Sequence, residues 1–436
     1  MAVNIAIRNS SAAAVSALVK TAFVPGRIAQ RKCFPYSTSS LASSSSGIRL
    51  IMDAAWELEQ TLGKEERVHH LEVGQPSHLA PSRAVEKARE AVRRKEFQSY
   101  IPNDGLQTLK AKVAELSCHE GKRHFLSGRN VVVTPGCVAA LFTAFGLVLR
   151  NPGEEILVPD PGWPNYQMAV RLLKGNSVPY ELHATCGWQP DFDALDDLVT
   201  DKTKAIVICS PSNPTGAVYS KSTLQKFADF SSKHGIHIIS DEIYQAIYFG
   251  SDNQRAPSIL DIDDVDPTKL FICNGVSKQF SMTGFRVGWI QCDESHAVDA
   301  KHILEAFASC GVGFSQVSAE AALAHEAAQA EFMRQSYHKN RDIAMDILHE
   351  HGVSLSGPIP EGAFYALVPI VTPLTSTEYC LRLLRTEKVA VAPGETFFAR
   401  PESTYCNKFV RISLATDPVT LRKGCELLCK HIVKQL

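Results

Sequence analysis

The chain has no run of about 18 consecutive apolar residues, so nothing in it reads as a membrane-spanning helix. It also lacks a charge excess. Its 45 basic side chains offset 46 acidic ones, leaving a formal net charge of -1 and no electrostatic footprint for nucleic acid. Neither a CxxC pair nor an internal repeat occurs in the 436 residues. The twelve cysteines are scattered, and Cys425 and Cys429 sit at helical spacing, so they read as reduced thiols, not as a disulfide framework or zinc site. Finally, no acidic residue precedes Asp53, while Arg8, Lys20, Arg27, Arg31, Lys32 and Arg49 are all present. With the Ser-rich run "STSSLASSSSG" this predicts an organelle transit peptide over residues 1–46, addressed to the mitochondrial matrix, with the plastid as the alternative.

The remainder has the composition of a globular protein with a large core, 45% hydrophobic and 21% charged. "IMDAAWELEQTL" carries apolar residues at helical spacing and is predicted to open the folded part. Short β-branched runs then alternate with helical stretches: "NVVVTPG", "EEILVPDPGW", "KAIVICSPSNPTG", "IHIISDEIY" and "LFICNGVSKQF" read as buried strands. That alternation predicts an α/β fold, its large domain built on a mostly parallel sheet covered by helices, over residues 80–325. "GAFYALVPI", "VAVAPGETF" and "FVRISLA", with a final amphipathic helix, predict a smaller α+β domain from residues 326–436 joined by 47–79.

Polar and glycine-rich residues follow the carboxyl end of each predicted strand, where ligands of open α/β sheets bind. Asp241 ends "IHIISD", with Tyr244 three residues on; Asn213 lies in "SPSNPTG". "NGVSKQFSMTGFRVGW" sets Ser277, Lys278 and Arg286 in an otherwise apolar, small or hydroxylated segment. Buried cations need partners, so this pair either holds the fold through carboxylates or holds an anion from outside.

These motifs together, "SPSNPTG", "SDEIY" and "SKQFSMTGFRVGW", resemble the class I/II pyridoxal-phosphate-dependent aminotransferases of fold type I, the aspartate aminotransferase-like group, from about residue 47 to the end. The resemblance implies pyridoxal 5'-phosphate as cofactor and a role for each matching residue. Lys278 would bind the cofactor aldehyde and carry the proton from the substrate α-carbon. Asp241 would pair with the ring nitrogen, Tyr244 and Asn213 would contact the ring 3-hydroxyl oxygen, and Trp163 in "PGWPNY" would stack on the ring. Arg286, Ser277 and the helix start at Gly136, Cys137 and Val138 would hold the phosphate. Tyr100 matches a tyrosine that reaches the phosphate of a neighbouring subunit, which implies a homodimer with shared active sites. Arg411 and Gly74 would take the substrate α-carboxylate, with Asn213 and Trp163 also lining the substrate side.

The implied reaction moves an amino group between an L-amino acid (neutral, aromatic or aspartate) and a 2-oxo acid. A pyridoxal-phosphate lyase, of the cysteine-conjugate β-lyase or aminocyclopropane carboxylate synthase type, needs the same residues and is the alternative. One departure bears on the substrate. An aspartate-using subgroup has a Lys where this chain has Val138, and "ASCGVGFSQ", where another subgroup supplies an Arg, has none. This tilts the expectation toward neutral or aromatic amino acids.

Overall fold

The computed structural model describes residues 47–63, 66–117, 127–250, 255–399 and 406–434; the transit-peptide segment 1–46 lies outside them. Among these described residues, twelve strands carry the architecture. Seven of them form the main sheet: β2 (Val131–Thr134), β3 (Glu155–Asp160), β4 (Asn176–Glu181), β5 (Thr203–Cys209), β6 (His237–Asp241), β7 (Leu270–Gly275) and β8 (Gly288–Gln291). Their spatial order is β2-β8-β7-β6-β5-β3-β4. The pairings between β7 and β4 are parallel, while β8 runs antiparallel to both neighbours. The antiparallel strand has a local cause. Only a single 3-10 turn, Thr283–Phe285, separates β7 from β8, with no crossover α-helix, so the chain turns back directly, as only antiparallel neighbours allow. Lys278 and Arg286 both lie on that turn.

Period-two alternation supplies both faces of the sheet with apolar side chains. Ala205, Val207, Ile239 and Phe271 join one core cluster, while Ile206, Ile208, Ile238 and Ile272 join another. Burial on both faces explains why these strands read as continuous hydrophobic runs. Asp241 shares the face of Ile239 and is set level with Cys209 and Cys273 on the flanking strands.

Away from this sheet, β9 (Tyr365–Pro369), β11 (Ala392–Pro393) and β12 (Phe409–Ser413) form an antiparallel sheet in the order β11-β12-β9. The two-residue strands β1 (His69–His70) and β10 (Val389–Ala390) pair in parallel. Helix α1 (Gly47–Glu59) buries Ile51 and Ala55. Two helices, Gly313–His325 and Ala327–Glu350, follow one another, divided at Glu326, which departs from helical geometry. The last helix, Pro418–Val433, buries Leu421, Cys425, Leu428 and Ile432 on one face, as its spacing predicts.

Ile239 sits in the central strand two residues before Asp241 and is fully buried. Ile239→Ala is expected to cost about 2–5 kcal/mol, read as a lower urea midpoint with the slope unchanged.

Candidate active site

A cavity of about 310 Å³ opens at the carboxyl ends of the parallel strands. Its lining brings together Gly74, Cys137, Val138, Trp163, Asn213, Asp241, Tyr244, Ser277, Lys278, Arg286 and Arg411, nearly every residue singled out in the sequence. The charge balance is uneven: Lys278, Arg286 and Arg411 face a single carboxylate, Asp241.

Lys278 Nζ donates to the Gly74 carbonyl at 2.7 Å and lies 5.8 Å from the Tyr244 and Phe364 ring centres. Burial, then the nearby Arg411 and Arg286 charges, brings its pKa down to about 8. Such an amine is neutral often enough near neutral pH to act as nucleophile and base. Gly74 is required beside it, because a Cβ there would meet the Tyr365 hydroxyl.

Asp241 is buried. Its Oδ2 accepts from the Tyr166 hydroxyl at 2.6 Å, and its Oδ1 accepts from Ile243 N at 3.3 Å and the Cys137 thiol at 3.7 Å. Burial pushes its pKa up against these hydrogen bonds and the Lys278 charge. Among the described residues no cation stands within ion-pair distance of it, and a buried carboxylate is costly without one.

Arg286 also lines the cavity. Its guanidinium donates only to backbone carbonyls, Thr283 O at 2.9 Å and Pro135 O at 3.3 Å. It is held against the first turn of helix Cys137–Val148, capped by Gly136 without any side-chain cap. A cation beside a helix N-terminus is unfavourable unless an anion sits between them. Gly136 has φ +86°, and a Cβ on it would stand 2.5 Å from Arg286 Nη2, so glycine keeps the cradle open. Two glycines, Gly284 and Gly288, look from the sequence like the hinges of the Lys278–Arg286 turn. The structure corrects this: Arg286 itself adopts the left-handed conformation at φ +56°, and Gly284 stands in open space. Gly288 serves close approach instead, 2.4 Å between its hypothetical Cβ and Cys137 N.

Arg411 enters from β12 and is almost wholly buried. It donates to Asn213 Oδ1 at 3.0 Å and to the Glu72 carbonyl at 2.5 Å. The Tyr365 and Phe397 rings lie 4.2 and 4.7 Å from its Cζ. Its Nε has no partner, and no carboxylate among the described residues pairs with it. Tyr244 hydrogen-bonds Tyr365, hydroxyl to hydroxyl, at 2.8 Å. Trp163 meets Tyr166 edge to face at 5.5 Å.

Of the expected site residues, Gly136 and Tyr100 are not part of this lining: Gly136 abuts Arg286, and Tyr100 is 88% exposed. Sequence reasoning missed Tyr166, Tyr365 and Phe397. Tyr166 carried a usable signal, since it follows Trp163 by three residues at a helix start; the other two lie on strand and loop positions indistinguishable from core aromatics.

Fold and cavity together bring an amine, a buried carboxylate and two arginines to the carboxyl ends of a parallel sheet. The comparisons with known proteins make this specific. Residues 66–428 match the family aminotransferase class I and II, and the chain belongs to it. The chain is 33% identical over 389 residues to an aspartate aminotransferase of Pyrococcus abyssi, covering 88% of this chain and 95% of that protein. It is 32% identical over 388 residues to the aromatic-amino-acid aminotransferase 2 of Thermococcus litoralis, with the same coverages of 88% and 95%. The crystal structure of the Thermotoga maritima aspartate aminotransferase superposes with a TM-score of 0.81 at 30% identity, over 90% of this chain and 99% of that one. The protein is an aminotransferase, of a family whose members depend on pyridoxal phosphate.

Two outcomes follow from this geometry. In cofactor-free protein, acetylation of Lys278 followed by mass spectrometry should rise with a midpoint near pH 8, well below an ordinary lysine near 10.4. Gly136→Ala should raise the dissociation constant of the phosphorylated cofactor by tenfold or more, measured by fluorescence titration, since its Cβ intrudes on Arg286.

Proposed function

We propose that this chain binds pyridoxal 5'-phosphate in the cavity and transfers amino groups from neutral or aromatic L-amino acids to a 2-oxo acid. The observation that carries the proposal is the set of three cations around one buried carboxylate. The cofactor fits it: a protonated ring nitrogen would give Asp241 the cation it lacks, and Arg286 with the Gly136 helix start would hold the phosphate. Lys278 would hold the aldehyde end covalently. When bound, pyridoxal phosphate supplies an electron-withdrawing ring that takes up the electron pair left by the departing α-proton.

The chain's own groups do the rest. Asp241, fixed by Tyr166, holds a proton at the ring nitrogen. Arg411, gripped between Tyr365 and Phe397, binds the α-carboxylate and orients the α-hydrogen toward Lys278. Once the substrate amine has displaced it from the aldehyde carbon, the free Lys278 Nζ, desolvated and low in pKa, would take that proton and return it to the former aldehyde carbon. The buried floor excludes water, which strengthens each charge interaction.

Substrate preference is argued from the remaining wall. Ile48, Val73, Val138 and Leu141 are apolar, and no cation beyond the three lines the cavity among the described residues. A second substrate carboxylate therefore finds no further cation among the described lining residues. A homodimer is supported by Tyr100 and Leu79, large side chains 88% and 87% exposed, with Tyr100 handed to the partner's phosphate site. The acid-free, Ser-rich start supports delivery to the mitochondrial matrix.

With pyridoxal phosphate bound, phenylalanine plus 2-oxoglutarate should yield glutamate, and Lys278→Ala should abolish this. Pyruvate and ammonia formed from cysteine conjugates with no new amino acid would instead support a lyase. Val138→Lys should raise kcat/KM for aspartate relative to phenylalanine by about tenfold, measured in coupled assays.

A further inference from the structure

A buried carboxylate that the reaction does not use lies next to the substrate arginine. Glu72 is fully buried, and its backbone carbonyl accepts from Arg411 Nη2 at 2.5 Å. Its Oε1 pairs with His70 Nδ1 at 2.8 Å, whereas its Oε2 has no hydrogen-bond partner. The other ring nitrogen, His70 Nε2, stands 3.2 Å from Glu59 Oε1, on α1. That same helix carries Ile48, part of the cavity wall. One imidazole thus bridges the first helix to the segment that holds Arg411 and, through the Gly74 carbonyl, Lys278.

We propose that His70 is a positioning residue whose bridge between Glu59 and Glu72 sets how strongly Arg411 holds the substrate carboxylate. The inference rests on Arg411 being the carboxylate anchor. Its physics is a competition for one buried negative charge. A protonated imidazole has two N–H groups and serves both carboxylates; a neutral one has a single N–H and must release one of them. While His70 is charged it offsets Glu72, and Arg411 presents its full positive charge to the substrate. Once His70 is neutral, Glu72 is left uncompensated, draws on Arg411 and repels an incoming carboxylate.

The surroundings support a His70 that stays charged. Hydrogen bonding to Glu72 raises its pKa, with Glu59 adding to this, against partial burial. The other charged groups nearby are set differently. His69, on the same strand, faces Arg67, Lys423 and Asp417, and burial lowers its pKa, so it titrates below His70. Lys388, just before β10, pairs with Glu66. Val389 and Ala390 of β10 are apolar. The sign follows: the bridge is complete below the ordinary histidine value of about 6.5 and is lost as pH rises through the raised value of the folded protein. Carboxylate affinity falls over the same interval.

The test is calorimetric titration of the pyridoxal-phosphate-loaded enzyme with 3-phenylpropanoate, a carboxylate without an amino group, from pH 6 to 9. Wild type should lose affinity across the range, beyond the loss seen in His70→Lys, which keeps the charge. His70→Gln should bind about fivefold or more weakly at pH 6 and lack the wild-type inflection. Glu59→Gln, an exposed change that leaves the core intact, should move the inflection to lower pH. Profiles for all three variants that coincide with wild type would overturn the proposal. Arg411→Leu separates the two levels. If it leaves binding unaltered, the anchor assignment itself fails; if it abolishes binding while the His70 and Glu59 variants do nothing, only the bridge fails.

Discussion

The structure depends on a charge imbalance around one cavity. Among the described residues Lys278, Arg286 and Arg411 line it with Asp241 as the only lining carboxylate, and none of the three stands in an ion pair. Lys278 and Arg411, desolvated and left this way, cost free energy unless a ligand completes them. The fold tolerates the cost because each cation is steadied by neutral dipoles: carbonyls of Gly74, Glu72, Thr283 and Pro135, and the Tyr365 and Phe397 rings. A phosphate at Arg286, a substrate carboxylate at Arg411, a protonated nitrogen at Asp241 and an aldehyde at Lys278 would answer these demands.

Topology explains how distant segments meet there. Parallel strands end together, so Asn213 after β5 and Asp241 at the end of β6 arrive at one edge. The direct return from β7 to β8 adds Lys278 and Arg286 on a single turn, tied to the first turn of the Gly136 helix by backbone contact at Gly288. The second sheet then brings Arg411 across from β12. The distance in sequence between Lys278 and Arg411 is bridged by the segment at Glu72–Gly74, which gives one carbonyl to each.

Much of this was legible in the sequence for definite reasons. Continuous β-branched runs announce strands buried on both faces, and cations in apolar surroundings announce an anion. Lys278, Asp241, Asn213, Arg286 and Arg411 were found on that basis and by family resemblance, and all line the cavity. What was not legible depends on contacts between distant segments. The role of Tyr166 exists only because its hydroxyl reaches Asp241, 75 residues on. The left-handed backbone of Arg286 runs against residue preference, and the glycines nearby drew the eye from it. The His70–Glu72–Glu59 bridge likewise has no local pattern, since Glu59 belongs to another element.

The most direct test of the cavity's purpose is borohydride reduction of the protein incubated with pyridoxal phosphate, followed by peptide mapping. The charge imbalance predicts a single phosphopyridoxyl adduct, on Lys278. An adduct spread over surface lysines, or none at Lys278, would contradict it.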